Sequence, residues 1–104
     1  MIRQGDVLIK PVAMIPAGLA EVPREDGRLI LAHGEVTGHA HVVQSQEVRM
    51  FGSLTGDDGP RYIEVPNPCN VVHDEHAPLG LDAGFYEVRR QREYSPEEIR
   101  RVAD

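Results

Sequence analysis

Residues 28–43 read "RLILAHGEVTGHAHVV", and the fold turns on how this stretch is read. "RLILAH" (28–33) is a short aliphatic run that stops at Gly34. "EVTGHAHVV" (35–43) then alternates. On a strand, successive side chains point to opposite faces. One face carries Val36, Gly38, Ala40 and Val42, small and apolar. The other carries Glu35, Thr37, His39, His41 and Val43, mostly polar and ionisable. Two consecutive strands are expected here.

The same grammar extends in both directions. "DVLIKPV" (6–12), "EVRMF" (47–51), "RYIEV" (61–65), "CNVVH" (69–73) and "GFYEVRRQREY" (84–94) read as further strands. Glycine and proline punctuate them. "AMIPAGLAEVPREDG" (13–27) reads as a loop with room for one helical turn. "TGDDGP" (55–60) reads as a turn, "PNP" (66–68) as a break, and the residues around Pro78 as a bend. Many short strands at this spacing predict an all-β chain, a small barrel or sandwich. Ser95, Pro96 and Glu98 form a capping box, so a short helix is expected over 95–104 behind a single metal-binding domain over 1–94.

Composition narrows the function. The chain has 104 residues and a formal net charge of -6, which suits one domain and is poorly suited to a phosphate backbone. No apolar run reaches the ~20 residues of a membrane helix. There is one cysteine, Cys69, and a free thiol fits a cytoplasmic protein. Nucleic acid and membrane are therefore excluded as expected partners, and a small-molecule substrate is expected instead.

The five histidines fall into two clusters, "HGEVTGHAH" (33–41) and "HDEHAPLG" (73–80). His39 and His41 share a strand face with Cα atoms roughly 6.7 Å apart, which is chelation spacing. His73 and His76 lie at a strand end and just past it. Two ligands on one strand plus one from another strand end suit a three-histidine site with an open position, where a metal ion activates water. Glu35 or Thr37 would then handle the proton or orient the water. The bland reading stands beside this one: histidines that hydrogen-bond loops together, and Glu35 as a solvated strand-end carboxylate. His33 is not needed as a ligand. Cys69 reads as a buried thiol or, at the margin, a soft ligand. Asp74 and Glu75 flank His73 and are placed to orient an imidazole.

These residues resemble the cupins, small β-barrels that hold one metal. Gly34, four residues, His39-Ala40-His41, five residues, Glu47, four residues and Gly52 follow the order of the first cupin motif, with spacers of different length. Pro78-Leu79-Gly80 is similar to the Pro-x-Gly of the second. The resemblance implies His39, His41 and one of His73 and His76 as ligands, and Glu47 as a fourth. The chain also resembles a group of small bacterial and phage proteins. The leading expectation is a zinc enzyme that activates water, a hydratase or small hydrolase. Beside it stand an iron or manganese dioxygenase or isomerase of cupin type, and a non-enzymatic metal-binding module. The apolar stripe Val36, Gly38, Ala40 and Val42 would need cover, which predicts a homo-oligomer, most simply a two-fold dimer.

Overall fold

The computed structural model describes residues 1–34, 38–53 and 59–90. Within them the chain forms β1 (Ile2–Gln4), β2 (Val7–Val12), β3 (Ala20–Val22), β4 (Leu29–His33), β5 (Ala40–Val43), β6 (Arg49–Gly52), β7 (Arg61–Val65), β8 (Cys69–His73), β9 (His76–Leu81) and β10 (Gly84–Arg90). Two antiparallel sheets result, ordered β1-β2-β10-β7-β6-β3 and β4-β5-β8-β9. Neither closes on itself, so the architecture is a small sandwich rather than a barrel. The helix expected over 95–104 lies outside the described residues. No helix among the described residues is long and apolar enough to cross a membrane.

Alternation decides what each sheet turns inward. Val7 and Ile9 of β2, Ile63 and Val65 of β7, and Tyr86 and Val88 of β10 come from the larger sheet. Leu29, Leu31, Val43, Val71 and Leu81 come from the smaller one, and all pack into one apolar cluster. Each fully buried aliphatic side chain contributes roughly 1.5–3 kcal/mol relative to exposure. With no tryptophan and two phenylalanines in the chain, the sandwich rests on these aliphatics.

Two expectations need correcting. The segment 13–27 contains a strand, β3, which pairs with β6 from Ala20↔Gly52 to Val22↔Met50. The expected bend at Pro78 is instead strand β9. It survives a proline because β9 is an edge strand and carries an irregularity there. Val71 pairs with Leu79 and His73 with His76, so one extra residue sits on the β9 side of the ladder. Edge strands and bulges are the two places where a sheet tolerates proline. The first residues also form a strand, β1, joined to β2 by a two-residue turn, Gly5-Asp6, with Gln4 opposite Val7. Gly5 has φ of 59°, a conformation that glycine adopts without steric cost and that two-residue hairpins favour.

Candidate metal centre

Register brings the histidines together. β5 pairs with β8 through Val42↔Val72 and Val43↔Val71. One step further along this ladder, His41 lies beside His73, and His73 pairs with His76 on β9. Three imidazoles thus occupy one rung across three neighbouring strands, and side chains on one rung share a face. The ring centroids of His41 and His73 are 4.3 Å apart, those of His73 and His76 4.7 Å. His39 precedes β5 and reaches the same place, with its ring 5.7 Å from that of His73. The four rings, with Asp6, Glu75, Gly5 and Gly34, line a pocket of about 280 Å³.

Two glycines make room for it. A Cβ at Gly5 would lie 2.6 Å from Nε2 of His76, and one at Gly34 would lie 3.1 Å from Nε2 of His73. The first separation is a collision, so a side chain at residue 5 would displace the exposed His76 ring from its present place.

His41 is the best-defined member. It is 1% exposed, and its Nδ1 lies 2.8 Å from Oε1 of Gln4. The Gln4 amide nitrogen donates to the carbonyls of Val71 and Ala77, both at 3.0 Å. With its nitrogen committed to two acceptors, Gln4 can only accept at Oε1. His41 therefore carries its proton on Nδ1 and leaves the Nε2 lone pair facing the pocket. Burial pushes its pKa down to about 4, aided by His73 and opposed by the Asp6 carboxylate. The ring is neutral near pH 7. Nε2 lies 3.6 Å from Oδ1 of Asp6. Gln4 is itself 3% exposed and ties β1 of one sheet to β8 and β9 of the other.

The remaining members are less constrained. Nδ1 of His73 accepts the backbone N–H of Glu75 at 3.1 Å, which leaves the proton of the neutral ring on Nε2. His39 sits between the carboxylates of Asp74 (3.5 Å from Nε2) and Glu75 (3.4 Å from Nδ1), and its buried Nδ1 has no hydrogen-bond partner. The acidic pair at 74–75 thus addresses His39 across the strand rather than the His73 that it follows in sequence. His76 is solvent-exposed. As they stand, no three His, Cys, Asp or Glu side chains among the described residues are disposed to hold an ion.

Other sequence candidates fall elsewhere. Glu35 and Thr37 lie outside the described residues. His33 is exposed and bonds Oε1 of Glu25 at 3.0 Å, away from the four-ring pocket. Glu47, implied as a ligand by the cupin resemblance, is also exposed and accepts from Asn67 instead. Cys69 packs against the core, and burial raises its thiol pKa. Ala40 is 7% exposed within a single chain, so that residue needs no second subunit to cover it. Gln4 and Asp6 were missed by sequence reading. The "QGD" turn signal at residues 4–6 would have revealed the hairpin, though not what it faces.

Fold and site together define a small all-β sandwich domain with a polyimidazole pocket at one end. The chain belongs to the family described as Domain of unknown function (DUF8820), which it matches over residues 3–91. No curated protein and no solved structure matches it.

Proposed function

We propose that the domain binds one divalent transition metal, zinc in the leading case, in the four-histidine pocket and uses it to activate water against a small-molecule substrate. The Gln4–His41 hydrogen bond carries this reading. A ligating imidazole commonly donates its other ring N–H to a fixed acceptor, which sets the tautomer and aims the lone pair. Gln4 does this to a ring that is already neutral and almost wholly buried. Nε2 of His41 lies 3.6 Å from Oδ1 of Asp6, on a pocket that three other imidazoles also line, which supports a ligating role beyond hydrogen-bonding its surroundings.

The donor set fits an ion in part. Neighbouring donors around a tetrahedral ion with bonds of ~2.0–2.1 Å lie roughly 3.3–3.4 Å apart, close to the 3.6 Å between His41 Nε2 and Asp6 Oδ1. His73 must move its proton off Nε2 and release the Glu75 N–H before that nitrogen can ligate. His76 must turn inward. Both belong to the mouth of the β8–β9 hairpin, and the His73 change is a tautomer exchange in which Nδ1 takes the proton that Nε2 gives up, with no net proton lost. A divalent ion there would supply Lewis acidity and lower the pKa of a water toward ~7. The chain supplies the rest: His41 as the fixed ligand, and Asp6 and Glu75 as carboxylates at the rim that can take up a proton. Glu35 and Thr37 keep their proposed proton-handling role.

Asp6 favours one second reading. Two or three imidazoles plus one carboxylate is the donor mixture of non-haem iron sites, so an oxygenase or isomerase with iron or manganese follows if Asp6 ligates.

Elemental analysis of protein purified without added metal, followed by calorimetric titration with zinc, tests the reading. One ion per chain is expected, and His41→Ala should weaken binding by at least about a hundredfold. Ester hydrolysis by the loaded protein, abolished by a chelator, would support the water-activating form. A wild type that takes up no ion, or a His41→Ala variant that binds as the wild type does, would sink the proposal.

A further inference from the structure

Beside the histidine pocket lies a second cavity, of about 250 Å³, that the metal reading does not use. It opens between the sheets. Its floor is the edge of the core, Val7, Leu31 and Val88, each at most 7% exposed. Its walls include two arginines, Arg61 and Arg90, which share the strand parity of the inward-facing Ile63 and Val88; Arg89 has the opposite parity, and its Nε bonds Glu87 at 2.7 Å. In a chain with formal net charge of -6, two arginines at one apolar cleft are out of keeping with the general surface.

Nearby partners account for only part of this charge. Arg90 donates to the main-chain carbonyl of His33, an acceptor without formal charge. Glu25, the one carboxylate in the lining among the described residues, is engaged by His33. The guanidinium of Arg61 has no hydrogen bond or ion pair among the described residues. A planar donor over an apolar floor is suited to a carboxylate head with a hydrocarbon tail. The cavity is smaller than the ~300–1,000 Å³ of sites for drug-sized ligands, so the guest has few heavy atoms.

We propose that this cleft binds a small organic monocarboxylate, its head held by Arg61 and Arg90 and its short apolar tail lying over Val7, Leu31 and Val88. The cleft adjoins the histidine pocket. Val7 follows Asp6 in the chain and His33 precedes Gly34, so the two linings adjoin along the backbone at two points. A bound acid would therefore sit next to the proposed metal centre. Binding itself needs no metal, so the test is run in chelator, and its failure is separate from failure of the metal reading.

Backbone-amide NMR titrations with hexanoate, hexanamide, acetate and inorganic phosphate provide the test. Hexanoate at millimolar concentration is expected to shift the amides of Leu31, Arg61 and Val88. Hexanamide, which lacks the charge, and acetate and phosphate, which lack the tail, should each bind at least about tenfold more weakly. Arg61→Gln, which breaks no hydrogen bond or ion pair among the described residues, should weaken hexanoate by about tenfold or more while leaving the remaining spectrum in place. The proposal is overturned if hexanoate causes no shifts, or if any of the three comparison compounds binds as tightly. It is likewise overturned if folded Arg61→Gln titrates like the wild type.

Discussion

His41 and His76 face one pocket from walls built in opposite ways. His41 stands on β5, an interior strand flanked by β4 and β8, 1% exposed and bonded to Gln4. His76 stands on the edge strand β9, exposed, with the bare backbone of Gly5 beneath it. The fold decides the tautomer and protonation of the first. No hydrogen bond among the described residues fixes those of the second. A preset anchor opposite adaptable arms is an arrangement that can close around a guest. On the proposed metal reading, the donors fail to converge as they stand because an ion would have to draw the outer arm in.

The comparison breaks most readily at Gln4. Gln4→Ala removes three hydrogen bonds at once and leaves the carbonyls of Val71 and Ala77 and the N–H of His41 without their partner. At roughly 1–1.5 kcal/mol for each lost bond, the cost is about 4 kcal/mol. Urea unfolding of metal-free protein measures it. A loss below about 1 kcal/mol would mean that the inner wall is not held by this residue. The surviving folded fraction should also lose zinc affinity by about 10–100-fold, the usual effect of removing the partner of a ligating imidazole.

A pH series sharpens the same contrast. The folded pKa of His41, about 4, lies below its unfolded value near 6.5. The unfolded chain therefore binds the extra proton between these values, and stability rises with pH across that window. The contribution is fully present above about 6.5 and is lost as the pH falls toward 4. A depression of this size corresponds to about 3 kcal/mol. Metal-free wild type should therefore lose about 3 kcal/mol more between pH 7 and pH 4 than His41→Gln does. Equal slopes for wild type and His41→Gln would show that the buried ring is not the titrating group.

How far the sequence revealed this depended on whether a signal was local. β7 (Arg61–Val65) and β8 (Cys69–His73) are legible to the residue because aliphatic alternation runs between clear breakers. β9 was hidden by Pro78, since a bulged edge strand cannot be told from a bend without knowing its neighbours. β1 is three residues long, too short for periodicity to show. The grouping of His39, His41, His73 and His76 was legible as two clusters, the first with an expected shared strand face and the second at a strand end. The partners that give the group its chemistry were not. Gln4 meets His41 across 37 positions, and only the closing of two sheets brings it there. Glu47 failed for a related reason: its place in a motif order said nothing of which face of the sandwich it would meet.

The smallest expected effect is at His33, which belongs to the first cluster by sequence and to another environment by structure. It ends β4, where the pairing with β5 slips by one residue between Ile30 and Ala32. A slip of this kind re-aims the side chains beyond it. His33 consequently meets Glu25 in a solvent-exposed pair, with side chains 63% and 54% exposed. Exposed pairs contribute little, because water screens them and two mobile side chains must be ordered. His33→Ala should therefore change unfolding free energy by no more than about 0.5 kcal/mol. It should also leave zinc stoichiometry unchanged, because the four rings of the pocket are all still present. Parallel calorimetry of His33→Ala and His39→Ala makes the comparison. Weakened zinc binding in His39→Ala alone would show that the ring contacts of the pocket, not membership of the sequence cluster, select the ligands. An equal loss in both variants would bring His33 into the site and undo the separation of the two pockets.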